Sequence, residues 1–345
     1  MAYTTINKST SHHDTNLYNS GGGSGQTISG MGFQPSMIWT KNRDNASYIH
    51  AIVDQVRGGT KKFFPNGTAA ISTDTNAVTS FTSDGYVFGS SGSFNYSTEN
   101  YVNWCWKGSG AGSANTDGDI NSTVSVDTTA GFSIVKYQGS GSAQTVGHGL
   151  GAVPKMIIVK RLSGSGYEPV VYHVDKTTGL YLNSTGNSND SSSTNIWFNG
   201  AAPTSSLFTT GTDGRIGSNG IDYIAYCFAE KTGYCKIGKY TGNGNANGAF
   251  VYTGFAPKLL VYKNISQSDE WFVHDSKRPG HNPTDLMFWS ADNAEVTNLD
   301  RINLLSNGFK TTTTDKGANA SGNGYIYLAF GQSIVGSNNI PATAR

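Results

Sequence analysis

Seven histidines, at positions 12, 13, 50, 148, 173, 274 and 281, are the first candidates for acid–base chemistry. His173-Val174-Asp175 and His274-Asp275 each set an imidazole beside a carboxylate. The same pattern serves equally to cap a strand and bind turn backbone. That reading is preferred, because there is no G-x-S-x-G elbow and no serine pairs with a histidine by spacing. Glycan hydrolysis needs two carboxylates about 5–9.5 Å apart. With 23 acidic residues some pair would meet that condition anyway, so the count does not argue for a hydrolase.

Metal and phosphate chemistry are equally thin. Asn115-Thr116-Asp117-Gly118-Asp119-Ile120-Asn121 alternates oxygen ligands as a calcium loop does, but lacks the bidentate glutamate at the twelfth position. Cys105, Cys227 and Cys235 form no C-x-x-C pair and have no histidine at zinc spacing. The glycine-rich runs GSGS and GNGNANG lead into apolar β-type runs, whereas a phosphate cradle opens a helix. No catalytic residue, cofactor site or metal ligand is therefore assigned. Sugar binding is harder to set aside, since Trp39, Trp197, Trp271 and Trp289 lie among Asn, Asp and Gly. Most of these tryptophans should be core. Tyr167 and Trp271, aromatics beside polar neighbours, are the candidate glycan contacts.

The elements that must position these residues repeat along the chain. From the anchors Tyr18, Tyr137 and Tyr240, glycines recur at Gly22, Gly141 and Gly244, then at Gly32, Gly151 and Gly254. Prolines follow at Pro35, Pro154 and Pro257, each before a β-rich run that ends near Lys41, Lys160 or Lys263. The far ends read YVNWCW from Tyr101, YIAYCF from Tyr223 and YIYLAF from Tyr325. In the first of these, Tyr101, Asn103 and Cys105 face one way and Val102, Trp104 and Trp106 the other. Cys105 and Cys227 hold one repeat position, which points to packing. Ser83-Asp84-Gly85-Tyr86 and Ser306-Asn307-Gly308-Phe309 are matched hairpin turns.

The fold class expected is all-β: three tandem homologous β-sandwich, jelly-roll-like units. They span residues 1–107 (with a short N-terminal arm), 131–231, and 232–345 (with a C-terminal tail). Residues 108–130, rich in Gly, Ser, Asn and Thr, read as a flexible linker. On that basis the second and third units should pack firmly while the first keeps some freedom.

Composition agrees with a cored β protein. Glycine (44) and asparagine (31) favour turns, and aromatics hold 12% of the chain. A net charge of +1 supplies no basic face for nucleic acid and no polybasic membrane patch. There is no basic n-region with an apolar run, and no stretch of the roughly 18 apolar residues that a membrane span needs. The expectation is no nucleic-acid partner, no membrane insertion, and folding in a reducing cytoplasm.

The segments GFSIVKYQGSGSAQTVGHGLGAVPKMIIVKR, YIAYCFAEKTGYCKIGKYTGNG, SNGFK, YIYLAFGQ and the terminal IPATAR resemble a module of marine bacteriophages, notably those infecting cyanobacteria and SAR11-type bacteria. The resemblance covers nearly the whole chain. It departs at Gln332, where an acidic residue is common, and at the His12-His13 pair. Such proteins are usually described as phage structural or tail-fibre proteins. The resemblance implies a non-enzymatic virion component, assembled in the host bacterial cytoplasm, and brings no catalytic or binding residues with it. A tail fibre or tail tip contacting the host surface is expected first, with head decoration or a head fibre as the alternative and a glycan hydrolase well behind. Expected partners are other virion proteins, further copies of the chain (a homotrimer favoured), and a host surface glycan or outer-membrane protein.

Overall fold

A computed structural model describes residues 4–23, 25–187, 200–289, 294–297 and 299–333. Strands make up the architecture, and no α-helix occurs among the described residues. All named strand pairs are antiparallel. No helix there is long and apolar enough to cross a membrane.

Three large sheets dominate. The first runs His13–Asn19, Asn100–Lys107, Pro35–Asn42, Ala51–Asp54. The third runs Cys235–Thr241, Gly324–Ser333, Phe255–Asn264, Trp271–Asp275, Met287–Phe288. The second contains Phe132–Gln138, Asp222–Phe228, Met156–Arg161, Val170–His173 and Lys176–Tyr181 in the same relative order. In each sheet the strand late in sequence lies between the first strand and the strand after the proline. The anchor tyrosines pair and stack on closing-strand tyrosines: Tyr18 on Tyr101, Tyr137 on Tyr223 and Tyr240 on Tyr325. Each closing-strand hydroxyl donates to a carbonyl nine residues back (Gly92, Gly214 or Lys316) and accepts a backbone N–H five residues back (Tyr96, Ser218 or Ala320).

Both faces of these sheets are covered, which explains why their strands read as unbroken apolar runs. One face packs on a small sheet in a sandwich-like arrangement. Ile38 and Cys105, Ile157 and Cys227, and Leu260 and Ala329 point into these three separate cores. The opposite faces converge on one core shared by all three sheets. Trp39, Trp104 and Trp106 meet Phe132, Ile158, Tyr226 and Phe228 there, along with Val261, Leu328 and Phe330. The closing strand Asn100–Lys107 divides as its alternation predicts, Val102, Trp104 and Trp106 facing the shared core and Cys105 facing away.

The matched turns form as expected. Thr82 pairs with Gly85 and Leu305 with Gly308, so Ser83-Asp84 and Ser306-Asn307 are two-residue hairpin loops. Glycine is required at both sites because a Cβ would lie 1.9 Å from the Ile28 carbonyl oxygen or 2.1 Å from that of Val251.

Two expectations need correction. Residues 108–130 are not a flexible linker throughout: Ser113–Asn115 and Ser122–Asp127 are strands that extend the second sheet from Phe132–Gln138. The alternation of Val124 and Val126 with polar residues gives that segment an apolar face, which its glycine and serine content obscured. Nor is the first sheet loosely held. Trp39 stacks on Trp289, the residue that follows the third sheet's edge strand Met287–Phe288, at 3.9 Å between ring centroids inside the shared core.

Candidate functional site

The residues singled out for chemistry are mostly built into the interior. His173 accepts the Asp175 N–H on Nδ1 at 3.1 Å, and its Nε2 faces the Tyr327 carbonyl at 3.4 Å. His274 meets the Thr284 hydroxyl through Nδ1 at 2.9 Å and Tyr262 through Nε2 at 3.4 Å. Burial pushes the pKa of His173 down to about 4 and that of His274 to about 3. Both rings are thus neutral at ordinary pH, with both nitrogens occupied. His274 and Asp275 point to opposite faces of their strand, one toward the third sandwich core and the other toward Arg278 and Trp104.

Asp275 belongs to a ring of polar contacts around the shared core. In strand register Asp54, His173 and Asp275 are equivalent, facing Met37, Met156 and Leu259. Each reaches the closing strand of a different large sheet. Asp54, paired with Arg57 at 2.6 Å, accepts the Tyr226 hydroxyl at 2.7 Å. His173 reaches Tyr327, and Asp275 accepts the Trp104 indole N–H at 3.2 Å. First sheet to second, second to third, third to first: the contacts close head to tail, as a heterologous ring does.

Lysines at the ends of the post-proline strands reinforce this ring. Lys160 donates to the carbonyls of Tyr167 and Gly67, and Lys263 to those of Asp269, Ser184 and Thr185. Desolvation lowers both ammonium pKa values to about 8. Lys41 donates to the carbonyls of Asn42, Asn45 and Tyr48.

Neither proposed glycan contact survives as an open platform. Trp271 is buried in the shared core, and its indole N–H donates to the Tyr181 carbonyl of the second sheet at 3.1 Å. Its acidic neighbours Asp269 and Glu270 made it read as a loop residue, whereas it opens the strand Trp271–Asp275. Tyr167 is half-buried and carries the Arg161 guanidinium 3.9 Å from its ring centroid, so one face is already taken. Trp39 and Trp289 are core, and Trp197 lies outside the described residues.

The calcium-like loop is satisfied internally: Asp119 accepts the Thr145 N–H and hydroxyl, and Asp117 accepts the Asn115 amide. All three cysteines are free thiols in the interior. Among the described residues, no group of three His, Cys, Asp or Glu side chains could hold a metal ion.

What lies open is a groove where the first and second sheets meet. A cavity of about 410 Å³ has Val56, Ile71 and Leu162 as apolar lining and Lys61, Lys136, Gln138 and Asp222 as polar lining. A second hollow of about 290 Å³ adds Asn121, Ser122 and Thr123 and shares Lys136, Gln138 and Asp222 with the first. Lys136 and Asp222 form a half-exposed ion pair at 3.1 Å, and Gln138 donates to Asp222 at 3.3 Å. Asp222 is the one carboxylate among the described residues lining these hollows. The groove can hydrogen-bond a polyhydroxylated or polar ligand, but it lacks the second carboxylate of a glycosidase pair. The sequence carried no signal for it, because it forms only where strands from two sheets come together.

Residues 8–333, nearly the whole chain, match the family described as a domain of unknown function, DUF7483, and the chain belongs to that family. Neither the curated proteins nor the solved structures contain a match.

Proposed function

We propose that this chain is a non-enzymatic structural protein of a bacteriophage virion, a tail-fibre or tail-tip component that contacts the host surface. Its body is three tandem homologous β-sandwich units closed into a ring. The observation that carries this reading is the shared core with its cyclic contacts. The stacked tyrosine pair and its hydrogen bonds occur three times, and Asp54, His173 and Asp275 each bind a different closing strand. This supports three copies of one unit arranged about a common axis. A body that buries its three thiols and five of its seven imidazoles (His13, His50, His148, His173 and His274) suits durable attachment better than turnover. The phage module described above supplies the assignment to a virion.

Head decoration is the second reading. A chain with internal threefold arrangement fits threefold positions on a capsid as well as on a fibre. The surfaces that close the ring are used within one chain, so any further self-association employs other faces. Virion proteins and a host glycan or outer-membrane protein remain the proposed partners.

Mass spectrometry of gradient-purified particles tests the assignment: the chain should co-sediment with the major virion proteins in fixed ratio. Its absence from purified particles would remove the virion reading. New reducing ends released from host envelope polysaccharide by the pure protein would replace that reading with a hydrolase.

A further inference from the structure

Each of the three small sheets that pack on a large sheet has an edge strand with one apolar side chain turned into its sandwich. Ile28 pairs with Tyr86, Val146 with Phe208 and Val251 with Phe309, and all three are buried. The residues on either side point the other way. In the first sandwich these are Thr27 and Ser29, and in the second Thr145 and Gly147. In the third they are Phe250 and Tyr252, 50% and 57% exposed, two of the few large apolar side chains that remain in solvent. At matched positions the fold is content with small or polar residues, so sandwich packing does not require these two rings.

Tyr252 also forms a wall of a cavity of about 380 Å³ where the second and third sheets join. The other walls are mostly polar, formed by Glu230, Lys231, Thr232, Lys236 and Thr253, with Gly233 and the buried Cys235 completing them. The Glu230 carboxylate is committed to Lys155 at 2.6 Å and Lys236 at 3.1 Å, which keeps its pKa down despite burial. Lys231 makes no ion pair with any described residue, and its stem runs past Gly131, where a Cβ would lie 3.0 Å from Lys231 Cε. The cavity thus combines an exposed aromatic face, hydroxyl and carboxylate acceptors, and an ammonium without a counter-charge.

We infer that this pocket binds an acidic saccharide. The apolar C–H face of a pyranose ring stacks on Tyr252, with Phe250 two residues along the same face as a second platform. Lys231 takes the sugar carboxylate in a charge-assisted hydrogen bond, and Thr232 and Glu230 take ring hydroxyls. The site deepens the host-contact reading and rests on it. It replaces Tyr167 and Trp271 as the place where a glycan meets the chain.

Calorimetric titration with tetragalacturonate, tetramannuronate, maltotetraose and cellotetraose tests the site on the full chain. The acidic tetrasaccharides should bind more tightly than the neutral ones. Tyr252→Ser should weaken binding about tenfold, and Lys231→Met should abolish the preference for acidic over neutral sugars. Tyr96→Ser, at an exposed aromatic of the first sandwich, should leave binding unchanged and controls for general surface adhesion. Binding of neither acidic sugar, or equal binding by wild type and Tyr252→Ser, would overturn the site. If the chain is nevertheless present on virions, only this pocket is refuted. If it is absent from virions, the host-contact reading falls whatever the titration shows.

Discussion

Replacing Asp275 by asparagine tests the closed ring at its most enclosed point. The Asp275 and Arg278 side chains are 0% exposed, with Oδ2 2.6 Å from Nε. The carboxylate also accepts the backbone N–H groups of Lys277 and Arg278 at 3.0 and 2.9 Å, and the Trp104 indole N–H at 3.2 Å. Burial pushes its pKa upward, but the adjacent guanidinium and these hydrogen bonds hold it below the ordinary carboxylate value. Removing one charge of a buried pair costs about 3–5 kcal/mol, because its partner stays buried. Glu295 remains 2.9 Å from Arg278 and keeps part of the compensation, so Asp275→Asn falls at the lower end, about 3 kcal/mol. For 345 residues the unfolding entropy is about 0.7 kcal/mol per kelvin, and the melting temperature should drop about 4 °C. Trp104 and Asp275 belong to different sheets, so tryptophan fluorescence, far-UV circular dichroism and calorimetry should shift together as one transition. Trp104→Phe, which removes the indole N–H, should couple to Asp275→Asn by about 0.5–1 kcal/mol in a double-mutant cycle. A cost below about 1 kcal/mol for Asp275→Asn, or separate transitions for separate sheets, would refute the ring.

Acid should destabilise the fold before most carboxylates titrate. Burial lowers His13, His50 and His274 from 6.5 to about 3, and His173 to about 4. The unfolded chain therefore binds protons below pH 6.5 that the folded chain refuses, and stability falls as pH drops from 6.5 toward 4. With four such groups the slope approaches about 5 kcal/mol per pH unit, and a urea midpoint unchanged between pH 7 and 4.5 would contradict it. Tyr101→Phe, Tyr223→Phe and Tyr325→Phe each orphan the same backbone carbonyl and N–H, so each should cost about 1–3 kcal/mol in urea unfolding. A large effect at one site alone would argue against three equivalent units. Cys105, Cys227 and Cys235 are buried, with burial raising their thiol pKa values. Ellman's reagent should find them only after denaturation; rapid labelling of the native protein would show an opening absent from this structure.

Much of the fold was legible because its signals are local. Tyrosine anchors, Gly-Pro spacing and the Ser-Asp-Gly and Ser-Asn-Gly turns each act within a few residues of where they are read. Alternation in Tyr101–Trp106 correctly separated two faces, but not what lay beyond the tryptophan face. The unbroken apolar runs Met156–Val159 and Leu259–Tyr262 already implied covering on both sides, and that points to the shared core. Trp271 misled because flanking acids are a surface signal, while its burial depends on Tyr181, 90 residues away. Tyr167 misled for a different reason: the guanidinium on its ring belongs to Arg161, only six residues upstream, and residue types alone do not show that the intervening loop folds back onto it. Phe250 and Tyr252 stand out only once strand register shows which residues of the other sandwiches they replace.

Immunogold labelling of intact phage particles with antibody against this chain tests the central claim most directly. Gold at the tail is the predicted result, and gold distributed over the head would move the chain to the decoration reading. Particles that carry no gold, from a lysate in which the same antibody detects the chain, would contradict the virion assignment.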